Sequence, residues 1–126
     1  MYSMCETEGP YKHPVGLIAY LADVQSQAEN DFIAQNVTGG ARAWLGAERV
    51  GDDFRWIANV RNGNEEPGLS YTNWKQNEPN NSSGDEDCIE INRGRAGAGT
   101  WNDLKCKRKI SGVCKYSISE WIEGRE

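Results

Sequence analysis

A chain of 126 residues has room for one compact domain and not for two. Only 37% of the residues are hydrophobic, yet five Trp and five Tyr are more than a disordered chain normally carries. The net charge of −5 would repel a phosphate backbone, which argues against nucleic acid as a partner, and the single histidine, His13, excludes sites built on several.

Residues 1–18 read as an irregular N-terminal segment carrying Gly9, Pro10 and Pro14. The longest apolar run, Pro14 to Ala22, is nine residues, whereas a bilayer-spanning helix needs about twenty, so no membrane span is predicted. Glu6 and Glu8 stand where a signal peptide carries basic residues. The run therefore reads as a buried strand or turn feeding the next helix, and no clear signal peptide is present. Ser26 followed by Glu29 forms a capping box, and Gly39-Gly40 supplies a stop, which predicts a helix over 26–36 with Ala28, Phe32 and Ile33 near one face. Beyond Gly40 there is no sustained helical periodicity. Short β-type runs occur at Ala43–Ala47, Phe54–Ile57, Cys88–Ile91 and Gly112–Tyr116, each broken by Gly, Asn, Asp or Pro clusters. Between them a long polar stretch, roughly 61 to 87, carries Leu69, Tyr71 and Trp74 as anchors, and loops of that length in a compact domain are usually disordered or functional. Residues 118–126 read as a polar tail.

The four cysteines, Cys5, Cys88, Cys106 and Cys114, lack Cys-x-x-Cys spacing and histidine partners, which argues for disulfides in an oxidising compartment over zinc. Three pairings are open. Charge is strongly partitioned. From Glu65 to Glu90 there are seven acids and one base, and from Arg93 to Lys115 seven bases and one acid, Asp103. The acidic stretch is either a solvated loop or a site for calcium, a hard cation that takes six to eight oxygens. Glu78, Asn80, Glu86, Asn102 and Asp103 offer that chemistry from separate segments. A disulfide between Cys88 and Cys106 would bring the two halves of the set together.

The ordered set Leu21-Ala-Asp-Val-Gln-Ser-Gln-Ala-Glu29, Trp44-Leu-Gly46, Tyr71-Thr-Asn-Trp74, Glu78-Pro79-Asn80, Glu86-Asp87-Cys88 and Trp101-Asn102-Asp103 resembles C-type lectin domains, over the 97 residues from Tyr20 to Tyr116. The resemblance implies an α+β C-type lectin-like fold over 19–117, with small antiparallel sheets, one helix and a long calcium-binding loop region. It implies Ca²⁺ held by Glu78, Asn80, Glu86, Asn102 and Asp103, a cis bond before Pro79, and sugar hydroxyls recognised by Glu78, Asn80, Glu86 and Asn102. The Glu-Pro-Asn order resembles the mannose type, which also takes N-acetylglucosamine and fucose. A second calcium site, common in the family, has Asp87 as its candidate here. Cys106 and Cys114 fall where the family places its last two cysteines, which implies Cys88 with Cys106 and Cys5 with Cys114.

Family members normally open with a strand and a helix that precede Leu21-Ala-Asp-Val, and only about nineteen residues stand before that point here. The chain therefore reads as shortened, with the opening strand and first helix missing and Gly112–Tyr116 left as an unpaired edge. The expected function is calcium-dependent binding of terminal sugars on glycans or glycoproteins outside the cell, without enzymatic activity and with several copies joined for avidity. The alternative is a lectin-like module that contacts protein or mineral surfaces without binding sugar.

Overall fold

The computed structural model describes Cys5, residues 17–58 and residues 68–118. The remainder of the segment 1–18, part of the long polar stretch and the tail beyond Ile118 lie outside the described residues. The elements in chain order are β1 (Leu17–Leu21), α1 (Gln27–Phe32) running into a π-helical turn at Ile33–Val37, β2 (Ala43–Val50), β3 (Asp53–Trp56), β4 (Cys88–Ile91), β5 (Trp101–Leu104) and β6 (Cys114–Ile118). They form two antiparallel sheets: β1 with β6, and a four-stranded sheet in the order β3-β2-β4-β5.

The capping box forms with a shifted partner. Ser26 Oγ accepts from the Glu29 amide at 3.1 Å, while Glu29 Oε1 reaches back to the amide of Gln25 at 2.8 Å. The predicted helix over 26–36 is thus α-helical for its first part only, and the amide of Thr38 closes the π turn on Ile33 O. The expected inner face is corrected. Of Ala28, Phe32 and Ile33 only Ile33 is buried, and Phe32 is 58% exposed. A polar residue, Asn30, points inward because its amide is fully used: Oδ1 accepts from Trp101 Nε1 at 2.8 Å and Nδ2 donates to Gly99 O at 2.9 Å. A buried amide with both ends bonded is not penalised for its burial.

Gly112–Tyr116, expected as an unpaired edge, is also corrected: Gly112 bridges to Trp44, and Val113 donates to Trp44 O and accepts from Ala22 N. Its strand residues, from Cys114 onward, pair with β1 in the register Leu21↔Cys114 to Leu17↔Ile118. The apolar run that precedes α1 supplies that partner, since Leu17–Leu21 is extended and donates and accepts along its length. Lys115 then joins β6 to the start of α1, its ammonium lying 2.9 Å from Asp23 Oδ1 and 2.6 Å from Glu29 Oε2. Two disulfides close the fold, Cys5–Cys114 across 109 residues and Cys88–Cys106 across 18.

The buried apolar residues form two clusters, one in which Leu45, Trp56, Ile89, Ile91 and Trp101 pack with Ile33 and Ala34 at the end of the helix, and one in which Trp44 packs with Cys5, Ala19, Leu21, Cys88 and Leu104. Gly46 is the tightest point. Its amide donates to Ala22 O at 2.7 Å, and a Cβ there would stand 2.3 Å from Leu21 O. Backbone cannot move aside as a flexible side chain can, and overpacking of a core ordinarily costs about 1–3 kcal/mol. Gly46→Ala should therefore lower the unfolding free energy by about 3 kcal/mol or more, read from urea-induced unfolding. An unchanged midpoint would show that β1 can retreat from β2.

Candidate functional site

The site is built where the loop from Tyr71 to Asp87 folds over β5. Its main chain pairs with that strand: Trp101 N donates to Asn73 O and Lys75 N to Trp101 O, both at 2.8 Å. Trp74, Tyr71 and Trp56 each meet the Trp101 ring edge to face, with centroids 5.7 to 5.8 Å apart. Such pairs contribute about 0.5–1.5 kcal/mol each beyond their burial. The aromatic anchors thus set where the following turn begins. Asn77 takes a positive φ of 71°, and the Glu78-Pro79 bond is cis, a geometry accessible mainly before proline.

After that turn the chain meets Asp103. This carboxylate on β5 is wholly buried and accepts from Asn80 N through Oδ1 at 3.2 Å and from Asn81 N through Oδ2 at 2.7 Å. Arg49, from β2, adds Nη2 to Oδ2 at 3.0 Å. Asn80 Nδ2 approaches Glu78 Oε2 at 3.4 Å, while Glu78 Oε1 is buried without a partner. Burial pushes the Glu78 carboxyl above its ordinary range, and the neighbouring carboxyl of Asp103 and then the charge of Glu86 push it further. An orphaned carboxylate oxygen among like charges has the chemistry of a hard-cation ligand, so Glu78, Asn80 and Asp103 fit calcium.

The other expected ligands are placed differently. Glu86 Oε1 accepts from the amide and hydroxyl of Ser82 at 3.1 and 3.3 Å, and the Glu86 amide donates to Asn81 Oδ1 at 2.9 Å, so the loop 80–86 closes on itself. Asn102 is not brought beside Asp103. Successive residues of a strand face opposite ways, and Asn102 instead donates Nδ2 to Glu90 Oε2 across the ladder at 2.7 Å. Its Oδ1 is the amide's remaining acceptor. Asp87 is held by Arg49, Nε to Oδ1 at 3.2 Å. Among the described residues no three Asp, Glu, His or Cys side chains meet in a group that would hold a metal.

Two sets of residues were invisible to motif reading. Glu90 is fully buried and takes Arg42 Nε, Arg93 Nη1 and Asn102 Nδ2 on its two oxygens. An acid between Ile89 and Ile91 in an apolar run was the available signal, since buried carboxylates are almost always paired. Arg49 carried no such signal, because its partners come from segments more than thirty residues away.

Residues 16–116 match the family described as the lectin C-type domain. The chain is 38% identical to ladderlectin of Oncorhynchus mykiss over 112 residues, which is 85% of this chain and 55% of that protein. It thus spans about half the length of that relative. Among solved structures, the carbohydrate-recognition domain of cow CD23, in the presence of a GlcNAc2Man3 oligosaccharide, superposes with a TM-score of 0.62 at 26% identity, covering 80% of this chain and 70% of that one. The C-type lectin CEL-I of Cucumaria echinata shares the fold, with a TM-score of 0.70 at 21% identity over 93% of this chain and 79% of that one.

The raised ionisation of Glu78 has a defined sign. The folded state keeps this proton to higher pH than the unfolded chain does, so ionisation opposes folding and stability falls as pH rises through the raised value. In chelator, Glu78→Gln should be more stable than the parent at pH 7, and the gap in melting temperature should shrink toward pH 4. A gap that stays constant with pH would refute the crowding of these carboxylates. Glu90→Ala, which strips Arg42, Arg93 and Asn102 of a shared acceptor, should cost about 2–3 kcal/mol in urea unfolding.

Proposed function

The chain belongs to the C-type lectin domain family, and from that premise we propose that it binds the terminal sugar of a glycan through one calcium ion. Glu78, Asn80 and Asp103, which the fold gathers, would hold the ion, and Glu86 and Asn102, held here by Ser82 and Glu90, would be recruited to it. The observation that carries this reading is a buried Glu78 oxygen that has no hydrogen-bond donor among the described residues and lies beside the carboxyl of Asp103. Calcium, when bound, supplies coordination positions that two neighbouring sugar hydroxyls can complete.

The protein's own side chains then read those hydroxyls. A hydroxyl coordinated through one lone pair can still donate its proton to a carboxylate and accept from an amide. Glu78 and Glu86 are the acceptors, while Asn80 and the second N–H of Asn102 are the donors. The order of acceptor then donor in Glu78-Pro79-Asn80 suits the equatorial 3- and 4-hydroxyls of mannose, N-acetylglucosamine and glucose, or the matching pair of fucose. The CD23 domain, solved with an oligosaccharide of N-acetylglucosamine and mannose, supports this sugar class. The two disulfides accord with an extracellular setting. No helix among the described residues is long and apolar enough to cross a membrane. A site that reads only one terminal sugar would bind it weakly, and useful avidity would come from several copies on one glycan surface.

Retention on mannose-agarose in calcium, with release by chelator, is the expected behaviour. Release should also follow acidification, because protonated carboxylates cannot hold the ion. Retention that survives chelator would overturn the calcium reading. The double variant Glu78→Gln, Asn80→Asp exchanges acceptor and donor and should move preference toward galactose on a glycan array. Unchanged mannose binding by the double variant would overturn the assignment of these two residues.

A further inference from the structure

Asp87, Glu86 and Asp103 turn three oxygens toward one point, and that point is filled by the chain itself. Arg49 donates Nε to Asp87 Oδ1 at 3.2 Å, Nη2 to Glu86 O at 3.1 Å and Nη2 to Asp103 Oδ2 at 3.0 Å. Its own amide donates to Asp87 O at 2.8 Å, so main chain and side chain grip the same turn. The outer face of the guanidinium is covered by Phe54, its cross-strand partner in β3, whose ring centre lies 4.5 Å from Cζ. The Arg49 side chain is 17% exposed and that of Asp103 is fully buried.

We propose that Arg49 is a resident internal cation which ties the carboxylate loop to β5 in the place where the sequence had suggested a second calcium at Asp87. Two carboxylate oxygens and a carbonyl oxygen from separate segments are the donors a divalent cation would use. A guanidinium meets the same set because it is planar, positively charged and carries five N–H donors. The consequence is a division of labour. The loop is held to the sheet without any metal, and calcium is needed only at Glu78 and its neighbours. The count of calcium ions rests on the sugar-binding reading, whereas the tether does not, because it acts in metal-free protein.

The test has two arms. In chelator, amide hydrogen exchange at Asn80, Asn81 and Glu86 should be slow in the parent protein and faster by about tenfold or more in Arg49→Ala. Arg49→Lys, which keeps the charge and loses the fork, should fall between them and serves where the alanine variant does not fold. Unchanged protection in whichever variant folds would overturn the tether. In calcium titration calorimetry the parent should take one ion per chain. Arg49→Asp puts a carboxylate at the vacated position and should take two, with its loop protection restored by calcium. A merely structural arginine would not yield that second ion. Two ions in the parent, or one in Arg49→Asp, would overturn the proposal. No calcium uptake by the parent would overturn the sugar-binding reading alone, and the exchange arm would still decide the tether.

Discussion

The buried carboxylate of Asp103 is the constraint on which the loop depends. A fully desolvated carboxylate is tolerable only when its lone pairs are met, and nothing on its own strand can meet them. The donors arrive from two other places, the Asn80 and Asn81 amides after the cis bond and the Arg49 guanidinium at the end of β2. Satisfying Asp103 therefore fixes the loop on β5 and β2 relative to β4 at once. The same requirement explains why the loop has little regular structure yet is closely bonded. Its amides are spent on side-chain oxygens of Asp103, Glu86 and Asn81.

β5 itself would be an exposed edge in the order β3-β2-β4-β5, and an open edge is a template for unwanted pairing. The loop covers it through the bonds of Asn73 and Lys75 to Trp101. One segment thus carries both the candidate site and the protection of the edge. The two faces of β5 also divide: Trp101 enters the aromatic cluster and is oriented by Asn30, while Asn102 crosses to Glu90. This is why all four residues of the strand are buried although two are polar.

Much of this was legible in the amino-acid sequence, and the divide is physical. The helix start could be read because Ser26 and Glu29 act locally, and β2, β3 and β4 could be read because their apolar residues cluster over a few positions. β5 was read as a ligand motif and not as a strand, since Trp-Asn-Asp-Leu has no alternation and its burial depends on partners distant in the chain. The inner face of α1 was misjudged for the same reason. Asn30 is inward only because Trp101, 71 residues later, needs an acceptor. The lone acid in the basic segment, Asp103, was conspicuous by charge. The cation that answers it, Arg49, was not, because an arginine at the end of a strand is ordinarily a solvated residue.

The two oxygens of Asp103 show how one buried group can serve both the scaffold and the site. A carboxylate has about four lone-pair positions. Oδ2 is used by Asn81 N and Arg49 Nη2, which fills it, whereas Oδ1 accepts from Asn80 N and, among the described residues, from no other donor. The unfilled position therefore lies on the oxygen bonded to Asn80, the residue that also approaches Glu78, whose Oε1 is unpartnered. A cation held there by Asp103 and Glu78 would not displace Arg49. It would also relieve the like-charge crowding that raises the Glu78 carboxyl. Under the proposed function the arginine and the metal would not compete: Arg49 meets the oxygen of Asp103 on the β2 side, and the ion would meet the oxygen bonded to Asn80.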